Sequence, residues 1–191
     1  GNAVVLGWYT SERSGVTPEV LAAYDRSLDE LARLGAEITS VTLPCGFADL
    51  AGLNGRIMSA ESYAILADRV DNDQLKLDED VRPRVRAGRD ISARAYLSAL
   101  EQRAKLTREF DAALADVDAL LTPTTMTTAL PLDAVNQTGA PSHFTRFANF
   151  LNLCALALPN GIDTQGLPIS LQIIGRRFEE RTVLRIGCAY Q

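Results

Sequence analysis

The spacing of elements at the start of the chain narrows the fold more than any other feature. An apolar run from Val4 to Tyr9, a helical pattern opening at Thr17-Pro18 and a β-branched run from Ala36 to Leu43 follow one another within about 40 residues. A proline in the first helical turn loses nothing by lacking its N–H, and the preceding threonine offers a capping hydroxyl. Val20, Leu21, Tyr24, Leu28 and Leu31 then fall on one helical face. Gly35 is placed to end that helix, because glycine takes the left-handed conformation without steric cost. Pro44, which cannot donate to a ladder, closes the second run. Strand, helix and strand at this spacing form a βαβ crossover, which makes the two strands parallel. No G-x-G-x-x-G separates the first strand from its helix, so the crossover is no dinucleotide site.

Downstream, Asp49 to about Val70 keeps helical spacing through Leu50, Leu53, Ile57, Glu61 and Ala64. The acidic stretch Asp71 to Glu79 reads as a solvated loop, followed by a short helix to Ala87 that stops at Gly88. Ser92 caps a long helix whose lined side carries Tyr96, Leu100, Arg103, Leu106, Phe110 and Ala113. Arg103 in that row is expected to snorkel, or to pair with Glu101 or Asp111. Val117 to Leu121 reads as a strand ending at Thr122-Pro123-Thr124, before a long loop from Thr125 to Pro141. Phe144 to Leu153 reads as a helix, Ala155 to Leu158 as a buried strand and Leu167 to Gly175 as another. Pro159, Gly161 and Gly166 are assigned to the turn between these strands, and Arg181 to Tyr190 to a closing helix. With no repeat and no linker, residues 1–191 are expected to form a single α/β unit, a mixed β-sheet flanked by helices.

With 47% hydrophobic residues and a net charge of -5, the chain has the makeup of a globular domain, and its acidic balance argues against a nucleic-acid partner. The longest apolar stretch, Leu153 to Pro159, is far short of a membrane span. The start has no basic region, so no signal peptide is expected. Cys45, Cys154 and Cys188 are odd in number and lack C-x-x-C spacing, which fits a reducing, cytoplasmic location. Cys154 and Cys188 sit in apolar periodic segments and are expected to be buried, inert thiols. The lone histidine, His143, has Ser142 as its immediate neighbour, and adjacent side chains rarely converge on one reacting atom. One histidine and no cysteine pair leave zinc without a ligand set, and Asp78, Glu79 and Asp80 read as the solvated start of a helix, with metal binding the lesser alternative because adjacent carboxylates face different ways. Lys76 and Lys105 are the only lysines, and no phosphate loop is present. No metal or cofactor is expected.

The order of residues in the last third carries a resemblance. Asp118-Ala119-Leu120-Leu121-Thr122-Pro123-Thr124 resembles the D-x-L-L-T-P-T segment of the amidase signature family. Phe144-Thr145-x-x-x-Asn149, Leu158-Pro159-Asn160-Gly161 and Gly166-Leu167-Pro168-Ile169-Ser170-Leu171-Gln172-Ile173-Ile174-Gly175 are similar to the family's closing blocks. Upstream, Ala60-Glu61-Ser62-Tyr63 matches its A-E-x-Y, and Val81-Arg82-x-Arg84-Val85-x-x-Gly88 its V-x-x-R-x-x-x-G.

The resemblance implies amide or C–N bond hydrolysis by a serine nucleophile, activated through a second serine and a lysine. In the family these lie in a G-S-S-G-G-S segment and at a lysine well before it, and neither occurs in these residues. The chain is therefore expected to be the C-terminal portion of the amidase fold, with no catalytic residue of its own, supplying walls of the pocket for a small amide substrate. The stretch from Thr145 to Pro159 is similar to allophanate hydrolases, yet their tyrosine- and arginine-bearing segment is not recognisable around Glu61 to Val70. The catalytic chains of the tRNA-dependent amidotransferases usually carry an aspartate where Ser142 stands. Ser142, Thr145 and Asn149 are candidate pocket-edge residues by the resemblance. Structural roles are the alternative, with Thr145 packing or capping and Asn149 holding a turn. Thr122 and Thr124 end a strand, where open α/β sheets place ligands or simply turn. Half of a larger sheet exposes strand edges, so a homo-oligomer or association through the sheet is expected. The rival reading is a non-catalytic binding or scaffold protein that retains this half of the fold.

Overall fold

A computed structural model describes residues 4–8, 13–135 and 141–191. The opening crossover is present: strand β1 (Val5–Trp8), helix α1 (Pro18–Arg33) and strand β2 (Glu37–Ser40), with β1 and β2 parallel and Leu6 opposite Ile38. Helix α1 buries Val20, Ala23, Tyr24, Ser27 and Leu31, the one-face spacing of its apolar residues. Thr17 is extended before Pro18 but its hydroxyl makes no cap bond; its N–H instead donates to the Met126 carbonyl at 2.9 Å. Gly35 ends the helix at φ 95°, with Ala36 N–H donating back to the Leu31 carbonyl.

Helix α2 (Asp49–Val70) is followed by the loop, then by α3 (Val81–Arg86) and α4 (Ala93–Ala113). Ser92 caps α4, accepting from Ala95 N–H at 3.2 Å. Gly88 does not stop a helix. It lies inside a 3₁₀ turn, Ala87–Asp90, pressed so close to α2 that an added Cβ would sit 1.9 Å from the Ser59 carbonyl oxygen. Arg103 pairs with neither Glu101 nor Asp111. It donates to the Phe150 carbonyl and to Asn152 Oδ1, each at 2.6 Å, and lies over the Phe150 ring.

Strand β3 (Ala119–Pro123) runs two residues further than its apolar pattern, carrying Thr122 and Pro123 into the sheet. Helix α5 (Arg146–Phe150) is only five residues long, ending where Asn152 turns to φ 56°. Strand β4 (Cys154–Ile162) and strand β5 (Pro168–Gly175) are antiparallel. Pro159 and Gly161 belong to β4, at an irregularity in its register, and not to the turn; an edge strand accommodates a proline there because its outward N–H is unpaired. Helix α6 (Glu180–Tyr190) closes the chain.

The sheet has the order β2-β1-β3-β5-β4, parallel among β1, β2 and β3 and antiparallel at β5 and β4. It is a mixed sheet flanked by helices. Leu120 and Ile174 point into a cluster with Phe47, Phe110 and Phe147, while Leu6, Leu121 and Ile173 join Tyr24, Val183 and Ile186 of α1 and α6. Phe147 stands 4.8 Å from Phe47 and 5.5 Å from Phe110, ring centre to ring centre. Pairs of this kind add about 0.5–1.5 kcal/mol beyond their area. No helix of the described residues is long and apolar enough to cross a membrane.

Candidate functional site

The blocks singled out in the sequence tie elements of the fold together. Asp118 starts β3 by pinning it to β1: its carboxylate accepts from Val5 N–H and its own N–H donates to the Val5 carbonyl, both at 2.8 Å. Glu61 accepts from the Tyr96 hydroxyl at 2.8 Å, joining α2 to α4, and Tyr63 donates to Asp71 at 2.6 Å. Arg82 gathers the carbonyls of Val70, Asn72 and Leu75, and Arg86 holds Asp73. The Arg86 guanidinium keeps the Asp73 carboxyl below its usual range.

At the carboxyl end of β3 the side chains alternate, so Thr122 and Thr124 share a face with Leu120. Thr122 is 1% exposed and stands opposite Gln172, itself 3% exposed. Gln172 Nε2 donates to Thr122 Oγ1 at 2.9 Å and to the Phe144 carbonyl at 3.0 Å, so both amide hydrogens are used. That fork fastens the segment preceding α5 onto the sheet. Thr124 continues the ladder, its N–H donating to the Ser170 carbonyl, while its buried Oγ1 has no partner among the described residues.

Ser142 and Thr145 flank the anchored Phe144. Ser142 Oγ accepts from Arg146 Nη2 at 2.9 Å, and its carbonyl accepts from Arg146 N–H. Thr145 is partly buried at the start of α5 and its side chain makes no cap bond. Asn149 is exposed on α5. Thr122 is thus tied through Gln172 to the Phe144 carbonyl, and Ser142 and Thr145 lie two residues before and one after Phe144 in the chain. Gln172, the residue that makes this tie, is legible as a polar side chain between Leu171 and Ile173 in an apolar run, but that signal alone assigns no partner.

His143 packs edge-on to Phe47 and Phe144, with ring centres 6.0 and 4.7 Å away. Burial raises the pKa of the Cys154 thiol, away from nucleophilic use. Cys188 is exposed, not buried: it lies on the outer side of α6, whose inward positions are Val183, Ile186 and Gly187. A cavity of about 330 Å³ is lined by Asn152, Leu153, Cys154, Arg177, Phe178 and Glu180, and includes none of the candidates. No cluster able to hold a metal ion occurs among the described residues.

A five-stranded mixed sheet flanked by helices, with Thr122 of β3 tied to Gln172 of β5, defines the class of protein as α/β. The amidase family model matches residues 2–184, and the chain belongs to that family. The fatty acid amide hydrolase of Medicago truncatula is 30% identical over 201 residues, covering 97% of this chain and 32% of that protein. The 2-amino-5-chloromuconic acid deaminase of Comamonas testosteroni is 33% identical over 184 residues, covering 90% of this chain and 39% of that protein. A crystal structure of an amidase superposes with a TM-score of 0.86 at 27% identity, over 99% of this chain and 45% of that one. The chain spans less than half the length of these relatives.

Proposed function

We propose that the chain is the C-terminal portion of an amidase signature hydrolase acting on a small-molecule amide. In this reading the nucleophilic serine, its partner serine and the activating lysine lie in an amino-terminal segment, and these residues build walls of the pocket. The serine attacks the amide carbon and backbone amides of the glycine–serine loop stabilise the oxyanion. The observation that carries the reading is the Gln172 fork, which fixes the Phe144 segment at the carboxyl end of β3, the end at which open α/β sheets bind ligands. Ser142, Thr145, Thr122 and Thr124 edge the pocket, and Asn149 borders it from α5. The place of action is the cytoplasm, and the chain alone associates through its open sheet edge.

The test is hydrolysis of acetamide, propionamide and allophanate. The 191-residue chain alone is expected to turn over none of them. Joined to an amino-terminal segment bearing a G-S-S-G-G-S loop and its preceding lysine, it is expected to hydrolyse at least one. Turnover by the chain alone that survives purification controls would overturn the reading, as would inactivity of the joined protein on a broad amide panel.

A further inference from the structure

Phe178 stands in a conformation that its residue type avoids. Its φ of 64° lies in the left-handed region, which glycine enters freely and a bulky side chain enters only at a cost in free energy. The turn around it is firmly held. Glu179 N–H donates to the Arg176 carbonyl at 3.1 Å, and the Cys154 thiol donates to the same carbonyl at 3.2 Å. The Arg176 guanidinium in turn reaches the Ala115 carbonyl. Yet the ring this turn presents is 84% exposed. Backbone strain and an unburied aromatic ring both work against the chain by itself, and strain of this kind persists where the surroundings use it.

Phe178 also lines the cavity of about 330 Å³, which lies where β4 begins and β5 ends, Cys154 opposite Gly175. That end of β5 adjoins the start of β3, away from the carboxyl end of β3. A space of about 150 Å³ admits a benzene ring, so the cavity has room for a phenyl side chain. Its lining includes Arg177 and Glu180, both exposed and of opposite charge. Neither has an ion-pair partner among the described residues. Leu184, exposed one turn beyond Glu180 on α6, extends the apolar surface.

We propose that this patch is a contact between two copies of the chain related by a two-fold axis, Phe178 of each copy entering the cavity of the other. Projection and recess are neighbours on one surface, and so are cation and anion, so the patch is complementary to itself. Such a surface closes as an isologous dimer, the commonest symmetric assembly. The axis sets Arg177 of each copy against Glu180 of the other. A buried aromatic anchor inside a charged rim is the ordinary anatomy of a specific contact. The proposal needs neither the hydrolase reading nor pairing at the sheet edge.

The experiment is sedimentation of the 191-residue chain across micromolar concentrations, where the parent is expected to dimerise reversibly. Phe178→Gly is expected to raise the dissociation constant by roughly tenfold or more. It should remain folded by circular dichroism, because glycine takes φ 64° without strain. Arg177→Glu and Glu180→Arg are each expected to weaken the dimer by setting like charges face to face. An equimolar mixture of these two variants is expected to form a heterodimer, since opposite charges then meet at both positions. A monomeric parent overturns the proposal, as does a mixture that fails to recombine. A dimer indifferent to Phe178→Gly overturns it too and assigns association to the sheet edge. In the protein joined to its amino-terminal segment, a monomer whose Tm falls with Phe178→Gly marks that segment as the occupant and overturns the second copy.

Discussion

Replacing Gln172 by leucine isolates the fork that ties the sheet to the segment before α5. Leucine keeps about the same volume but removes both donors, so the Phe144 carbonyl and Thr122 Oγ1 lose their bonds at 3.0 and 2.9 Å. Phe144 and Thr122 are 2% and 1% exposed, so water does not replace those bonds without a local opening. A buried acceptor left unpaired costs about 1–3 kcal/mol. The Thr122 hydroxyl can reorient and loses less, and removal of a buried amide returns part of the loss. A net destabilisation of about 2 kcal/mol is expected, which for a chain of this size is a Tm lower by roughly 4–8 °C. Urea unfolding measures it, with an unchanged slope showing that the denatured state is not the cause. Combining Gln172→Leu with Thr122→Val closes a double-mutant cycle. Because the two side chains share one bond, the pair is expected to cost less than the sum by at least about 0.5 kcal/mol. A Gln172→Leu protein within about 0.5 kcal/mol of the parent, or strict additivity in the cycle, would refute the fork as a structural tie.

Two further substitutions test other close approaches. Gly88→Ala places a methyl 1.9 Å from the Ser59 carbonyl oxygen, whereas Gly52→Ala on the exposed side of α2 meets nothing within 4 Å; the first is expected to cost about 1–3 kcal/mol and the second to stabilise by about 0.5–1 kcal/mol, both read from denaturant midpoints. Asp163 accepts from the Leu167 and Gln165 N–H groups and from the Thr128 hydroxyl, each at 2.8 Å, which holds its carboxyl below the usual aspartate range. Its contribution is therefore complete above the unfolded value of about pH 4 and is lost as acid carries the pH down through the depressed folded value. Asp163→Asn should flatten the acid limb of the stability profile there, and an unchanged limb would count against the turn as its source.

The opening crossover was legible because helix and strand write different periods, and α1 buries the row that its spacing selects. Ser92 and Gly35 acted as the caps they resembled. What failed was set by tertiary contact. Gly88 looks like a helix stop, but it is there because α2 approaches to within a methyl of its Cα. Arg103 has acidic neighbours along its own helix, yet its partners are the carbonyl of Phe150 and the side chain of Asn152, 47 and 49 residues away. Ser142 and Thr145 were nameable only through family blocks, and Thr122 also through its place at a strand end. The tie from Thr122 to the Phe144 carbonyl runs through Gln172, and a long-range side-chain bond leaves no periodic trace in sequence.

Strand β4 poses the remaining discrepancy. Its apolar run from Cys154 to Leu158 has the pattern of a strand covered on both faces. Only one face is covered: Leu156 and Leu158 pack on α6 at Gly187, while Ala155, Ala157 and Pro159 are exposed. The outer edge carries no charged residue, and Pro159 with the register irregularity beside it is what discourages pairing there. In the proposed reading the bare face of β4 is the one that a further body of protein would cover. In the proposed reading this body is the amino-terminal segment with the nucleophile, which would bring the catalytic loop to the same face of the sheet as Thr122, Gln172 and Ala157, residues that stand in one cross-strand row. The exposed small side chains of β4 then lie beside the fork of β3 and β5, which is itself buried beneath the Phe144 segment, so a backbone approaching β4 would abut the wall that the fork holds.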